Sequence, residues 1–274
     1  NRSGNHDTGR VVACTGYEPN ENKPGILTIL NYTFQNRLIL CVNIGNDTPT
    51  TITGSEISST FSPIKIADPR NVTDIVSALV DTRVSDTERA RLEVLRGNLQ
   101  DRYLRTTKYT PPADIPFFQR RALEIAQQLS GDALDIRRDA SLGRYLDATP
   151  VANAALRTSF GVTPTGGGNA LGAQAMLALR LRQLGCACVT ISSNNWDMHS
   201  DELTNMPARA AGVGQAIAGL LDHMSRIQDI QTPGKTLLDT TVITVLTDFN
   251  RGNWSVASGF NGTNGSDHSS GEDK

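Results

Sequence analysis

The residues best suited to chemistry lie where an apolar run ends and a long helical pattern begins. Asp197 and His199 stand one residue apart after the apolar run Cys186–Ile191. Carboxylate and imidazole groups together are the ligands found in zinc, manganese and iron sites. A D-x-H spacing in an irregular loop lets both side chains reach one ion, so this junction is a candidate metal site. Capping by the nearby Ser200 or Asp201 also explains part of the stretch.

A second group of candidates follows the apolar run Thr241–Leu246. Asp248 and Arg251 come directly after this run, and the pair Asp267–His268 lies in the tail. Ligands of open parallel sheets bind at the carboxyl ends of the strands. If both apolar runs are parallel strands, we expect Asp248 and Arg251 to converge with the D-x-H pair on one sheet edge.

The N-terminal segment offers a weaker signal around His6. Asp7 or Thr8 is predicted to cap a short helix that ends at Gly16. A helix N-terminus that carries Ser3, His6 and Thr8 could bind an anion or present a hydroxyl nucleophile. The alternative is an ordinary helix cap beside an exposed histidine.

The elements that must position these residues predict an α/β fold. Leu38–Ile44 joins the two apolar runs as a third strand, and none of the three alternates between apolar and polar residues, which indicates burial on both faces. Helical patterns lie between the strands, so we expect a mostly parallel sheet covered by helices. Residues from about 71 to 146 read as a helical insertion, and residues 252–274 as a flexible tail rich in Gly, Ser and Asn.

The helical patterns also suggest structural roles for a long apolar stripe, for His223 and for a glycine-rich segment. An apolar stripe at steps of three and four runs from Met206 to Ile227 and predicts one long helix that packs this stripe against the sheet. His223 lies on the edge of that stripe, so we assign it a structural role. The segment Thr163–Gly172 is rich in glycine but lacks the Gly-Lys-Ser/Thr ending of a phosphate loop, which favours a flexible helix entry.

Composition and charge exclude several classes of protein. The chain has 274 residues and a net charge of −2, without a basic stripe, so nucleic-acid binding is not expected. The apolar runs are too short to span a bilayer. No signal peptide is visible, so we expect a cytoplasmic or an already processed protein. The four cysteines fit buried positions, although export would allow a Cys14–Cys41 disulfide.

The order of these motifs resembles the bacterial proteins grouped as domain of unknown function 1501. W-D-M-H, D-F-N-R and G-S-D-H stand where that family has W-D-T-H, E-F-G-R and G-x-D-H. The segment from His6 to Leu30 and the helix before Cys186 are similar to family segments as well, so the resemblance covers about residues 6–268. It implies one domain over residues 1–268 in the wider alkaline-phosphatase and sulfatase-like superfamily, incomplete at both ends.

The resemblance also implies a chemistry. The superfamily uses divalent metal ions to displace groups at phosphorus or sulfur. Asp197 and His199 would hold one ion, here zinc, manganese or calcium, with Asp267 or His268 completing its ligands. Asp248 would serve a neighbouring ion, His6 and Arg251 would bind the anion, and the nucleophile would fall near Ser3 or Thr8.

Two functions therefore stand beside each other, since a third, a helical carbohydrate- or protein-binding module, explains residues 71–146 but leaves the strand-end acids without a role. The first is a metal-dependent hydrolase of small-molecule or polymer phosphate or sulfate esters, and the second is a non-catalytic member of the fold that binds a partner in an envelope assembly. Family precursors commonly carry export signals, which implies the periplasm or the cell surface. A single ion and weak or absent ester hydrolysis are expected, because Asp248 alone serves the second ion and Arg251 competes for it.

Overall fold

The computed structural model describes residues 6–33, 41–45, 49–58, 61–71, 153–183, 185–194, 196, 202–229 and 231–246, together with Thr87, Arg91 and Val94. Three strands lie in these residues, namely β1 (Cys41–Ile44), β2 (Ile64–Ile66) and β3 (Cys188–Ile191). The helices are α1 (His6–Thr15), α2 (Ile26–Thr33), α3 (Asn153–Phe160), α4 (Ala170–Gln183) and α5 (Glu202–Arg226). Short 3-10 turns lie at Pro19–Glu21, Pro49–Thr51 and Leu238–Thr240.

The three strands form a parallel sheet in the order β2-β1-β3. Val42 pairs in register with Ile64 on one side and with Val189 on the other. The central strand β1 is buried at all four positions, whereas β3 is half-buried throughout. The predicted parallel α/β architecture is thereby confirmed, although β2 was not predicted because its three residues include an exposed lysine.

The main core lies between one face of this sheet and the helices α3, α4 and α5. Fully buried members include Val42, Ile44, Phe160, Met176 and Leu181. The helix α4 contacts β3 and packs against both α3 and α5. Its small and straight-chain residues are good helix formers, and Gly185 follows with a φ of 93°, a backbone conformation that glycine adopts at the ends of helices.

The burial of α5 only partly follows the stripe that its sequence predicts, although Met224 and Ile227 of that stripe are buried. The buried positions of α5 include Ala216, His223 and Met224, while Ile217 is only half-buried. The helix packs mainly on α4 and α3 rather than on the sheet, because α4 lies against β3. The predicted long helix is therefore confirmed, but the predicted contact between its stripe and the sheet is wrong.

The predicted strand Thr241–Leu246 is not a strand in the structure. It has no ladder partner among the described residues, and Val242 and Leu246 are 90% and 64% exposed. Thr241 is held by Arg182 Nε, which lies 3.3 Å from its hydroxyl oxygen. The apolar run reads as a strand by composition, but a strand also needs neighbours to supply backbone hydrogen bonds.

The glycine-rich segment forms a tight turn that joins α3 to α4. Gly168 has a φ of 80°, and a Cβ there would lie 2.5 Å from the carbonyl oxygen of Gly161. Asn169 then donates from its side chain to the carbonyl of Gly212 on α5, at 2.8 Å. This turn enters a helix, as predicted, and a phosphate loop is not needed to explain its glycines.

Most of the predicted insertion at about 71–146 and the whole tail at 252–274 lie outside the described residues. Thr87, Arg91 and Val94 are helical, which agrees with the helix predicted there. Within the part of the chain that the structure describes, each helix is too short or too polar to cross a membrane.

Candidate functional site

The candidate site is built on the carboxyl ends of β1 and β3. The chain passes from β1 to β2 on one side and then returns across β1 to β3, so the strand order reverses between β1 and β3. In open α/β sheets, ligands bind in the crevice outside the carboxyl ends at such a reversal. The two residues that follow these strands, Gly45 and Ser192, therefore lie where a ligand is expected.

Gly45 brings the two strand ends into close approach. Its φ is 101°, and a Cβ at this position would lie 2.6 Å from Oγ of Ser192. Its N–H donates to the carbonyl oxygen of Ile66 at 2.9 Å, which ties the end of β1 to the end of β2. Any side chain at this position would be strained and would push Ser192 away.

Ser192 carries a buried hydroxyl with no assigned contact. Its Oγ has no hydrogen-bond partner among the described residues, although its backbone N–H donates to Oε1 of Gln174 at 2.9 Å. A buried hydroxyl without a partner costs about 1–3 kcal/mol. Among the described residues, the hydroxyl at the end of β3 is thus an unsatisfied polar group at the carboxyl edge of the sheet.

The loop after β3 is braced by two helices. Gln174 on α4 holds Ser192, and Arg209 on α5 donates to the carbonyl oxygen of Asn194 at 3.3 Å. Nε1 of Trp196 donates to Oγ of Ser193 at 2.8 Å. These contacts hold the described residues of this loop, and the D-x-H pair begins one residue after Trp196 in the sequence.

Most of the predicted site residues lie outside the described residues. The affected candidates are Ser3, Asp197, His199, Asp248, Arg251, Asp267 and His268. Their convergence on one edge therefore stays a prediction. Among the described residues, no group of three His, Cys, Asp or Glu side chains is arranged to hold a metal ion.

The N-terminal candidates begin the helix α1. His6 is its first residue and Thr8, half-buried, lies in its first turn, so the prediction that Asp7 or Thr8 caps this helix is wrong. A cap must precede the first helical residue, and the helix begins earlier than the pattern indicates. The predicted end at Gly16 is confirmed, with a φ of 78°. The helix packs against Pro49–Thr51, shortly after the carboxyl end of β1.

His223 has the structural role that its position on α5 predicts. Its Nε2 lies 2.7 Å from Oγ of Ser159, and its ring stacks on Phe160 with centroids 5.8 Å apart. Ser159 donates its one hydroxyl proton to the carbonyl oxygen of Leu156 at 2.9 Å, so the imidazole N–H is the donor to Ser159. Burial lowers the pKa of His223, which favours the neutral ring.

Three cysteines meet at the opposite, amino end of the sheet. Cys41 and Cys188 are register partners on β1 and β3, and Sγ of Cys186 lies 3.3 Å from the carbonyl oxygen of Cys188. All four cysteines are among the described residues, and no disulfide joins them. The Cys14–Cys41 disulfide that export would allow is therefore absent, because Cys41 lies in the sheet opposite Cys188.

Gln174 and Ser192 are the site residues that the sequence did not indicate. Gln174 lies in a helix pattern where a glutamine reads as an ordinary surface residue, and its contact is 18 positions away along the chain. Gly45, which ends a buried apolar run, was the one available signal, since a glycine there indicates close backbone approach.

A comparison with known proteins tests the family resemblance that the sequence motifs indicate. One protein-family model matches residues 1–271 of the chain, and its description is protein of unknown function (DUF1501). No curated protein and no solved structure matches the chain. The family match covers the N-terminal helix, the sheet, the D-x-H junction and the tail pair. The chain therefore belongs to the DUF1501 family.

Proposed function

We propose that the chain binds one divalent metal ion at the carboxyl edge of its sheet, in a site of the kind that hydrolyses phosphate or sulfate esters. The observation that carries this proposal is the buried Oγ of Ser192, which lacks a partner among the described residues and lies at the strand-order reversal. Asp197 and His199 follow five and seven residues later along the chain. Asp267 and His268 complete the proposed ligand set.

The residues fit a metal ion by their chemistry. Carboxylate and imidazole suit zinc and manganese, and carboxylate oxygen also suits calcium. The bound ion would polarise an ester oxygen and activate a nucleophile. The chain's own groups would position the loop through Gln174, supply the ligands, and bind the anionic ester through His6 and Arg251.

The superfamily and the localisation belong to the same proposal. Membership in the alkaline-phosphatase and sulfatase-like superfamily rests on the motif resemblance and is supported by the parallel sheet covered by helices. By the same resemblance, we propose export to the periplasm or the cell surface. Nucleophile candidates remain Ser3 and Thr8, and Thr8 lies on α1, which packs against Pro49–Thr51.

A second candidate is a non-catalytic member that binds a partner in an envelope assembly. One observation favours it: the segment that leads to Asp248 runs outside the sheet through Leu246. No strand among the described residues then carries Asp248 to the edge where Asp197 is expected. A two-ion site needs ligands for both ions in fixed geometry, so hydrolysis by this chain is expected to be weak or absent.

The test measures metal content and affinity on the purified chain. We expect about one zinc or manganese ion per chain, and a loss of affinity of at least about tenfold in both Asp197→Asn and His199→Gln. Asp222→Asn serves as a control, because Asp222 lies on α5 and pairs with Arg226 on the same helix. Equal metal affinity in all four proteins would overturn the proposed site.

Activity separates the two candidate functions. An aryl phosphate and an aryl sulfate are incubated with the metal-loaded chain, and release of the phenol is followed. Absent or slow release with metal bound supports the non-catalytic candidate. Rapid turnover that Asp197→Asn abolishes, while Asp222→Asn keeps it, supports the hydrolase.

A further inference from the structure

A depression with two half-exposed tyrosines lies on the N-terminal part of the chain. Its lining includes Tyr17, Lys23, Ile29, Tyr32, Glu56 and Ile57, and its volume is about 350 Å³. We call this surface the tyrosine depression. Tyr17 and Tyr32 are 47% and 50% exposed, and Ile29 is 37% exposed. Exposed aromatic and aliphatic groups gathered in a concave site indicate a binding surface.

The backbone around the depression is held in place by short contacts. Gly25 N–H donates to the carbonyl oxygen of Ile52 at 2.8 Å, and Ser55 N–H donates to that of Asn22 at 3.1 Å. Gly54 has a φ of 65°, and a Cβ there would lie 2.6 Å from the carbonyl oxygen of Asn22. The two loops that carry Lys23 and Glu56 are therefore joined closely, which pre-organises the wall between them.

The aromatic rings are also fixed by neighbours. Tyr32 packs edge-to-face on Phe61 with ring centroids 5.2 Å apart. Nζ of Lys23 lies 5.7 Å from the centroid of the Tyr17 ring and 2.5 Å from Oε1 of Glu56. Rings held in this way lose little conformational freedom when a ligand stacks on them.

The charges in the depression select the class of ligand. Lys23 and Glu56 neutralise each other, so the site has no net charge with which to attract an ion. Their remaining donor and acceptor positions suit a ligand that both donates and accepts hydrogen bonds. The volume is at the lower end of small-ligand sites.

We infer that the tyrosine depression binds a neutral β-linked oligosaccharide of glucose-type rings. Such rings carry their hydroxyl groups at the rim and leave apolar C–H faces free to cover Tyr17 and Tyr32. The hydroxyl groups at the rim would exchange hydrogen bonds with Lys23 and Glu56. This surface uses none of the residues of the proposed metal site, so it is a separate binding function.

The experiment titrates the whole chain with a β-1,4-linked glucose tetrasaccharide by isothermal calorimetry. We expect saturable binding that weakens roughly five- to tenfold in Tyr17→Ala and in Tyr32→Ala, and that survives in the two Tyr→Phe variants. Val242→Ala is the matched control, because Val242 is an exposed apolar residue outside the depression. It should bind as the parent does.

Saturation-transfer NMR on the unmodified chain guards against misfolded variants. We expect magnetisation to pass to the ring C–H protons of the sugar. Absence of saturable binding, or equal affinity in parent and alanine variants, would overturn the inference. So would preferential binding of a proline-rich peptide at these tyrosines, or a concentration-dependent dimer that Tyr32→Ala abolishes.

Discussion

Alanine at Gly219 tests the packing of α5 on α3, which holds the helical layer together. A Cβ at Gly219 would lie 2.8 Å from Cδ1 and Cε1 of Phe160 and 3.2 Å from Cγ. The Phe160 ring cannot move away cheaply, because it is fully buried and stacks on His223. Overpacking of this kind costs about 1–3 kcal/mol.

Gly214 on the same helix is a matched control. A Cβ at this position would meet nothing within 4 Å. Both substitutions gain the same helix propensity, about 1 kcal/mol, so the difference between the two variants isolates the contact with Phe160. We expect Gly214→Ala to be more stable than the parent and Gly219→Ala to fall about 1–3 kcal/mol below Gly214→Ala.

Urea unfolding followed by circular dichroism measures these free energies. In the Gly219→Ala background, Phe160→Leu should restore part of the loss, because it removes Cε1 and replaces the rigid ring with a smaller side chain, and the coupling is read from the double-mutant cycle. Equal stability of Gly214→Ala and Gly219→Ala would refute the packing of Phe160 against α5.

Two further predictions concern titratable groups. The hydrogen bond from the Cys41 thiol holds the pKa of Cys188 below its usual range, whereas burial raises the pKa of Cys186 to about 12. We therefore expect iodoacetamide to modify Cys188 before Cys186, as followed by timed mass spectrometry. Faster labelling of Cys186 would contradict the sheet geometry. Burial lowers the pKa of His223, so the unfolded chain gains a proton near pH 6.5 that the folded chain takes up only at lower pH. The contribution of the neutral His223 to stability is therefore present above pH 6.5 and is lost as the pH falls below 6.5. The difference in unfolding free energy between the parent and His223→Gln should change with pH below 6.5 and be constant above it.

The strands show what local pattern can and cannot predict. Leu38–Ile44 and Thr241–Leu246 are both short apolar runs that contain β-branched residues, yet only the first includes a strand, β1, with neighbours on both sides. Pairing depends on contacts between distant parts of the chain, which composition does not encode. The helices α4 and α5 were predicted because their periodicity and their glycine signals are local.

The candidate site also has a part that the sequence predicts and a part that it does not. Its location at the end of β3 could be predicted, because an apolar run followed by a D-x-H pair is visible in the sequence. Gln174 and Ser192 could not, because a helix position and a strand end meet only after α4 has packed on β3. The contact of the α5 stripe with the sheet was predicted wrongly for the same reason, because it depends on which neighbours the helix contacts.

The most direct test of the proposed metal site is a crystal structure of the chain grown with manganese or zinc, with anomalous scattering measured for that metal. We predict one anomalous peak beyond the carboxyl ends of β1 and β3, next to the loop that leads from Ser192 to His199, with Asp197 and His199 as ligands. An ordered D-x-H pair with no peak beside it, or a peak held by other residues away from this edge, would contradict the account.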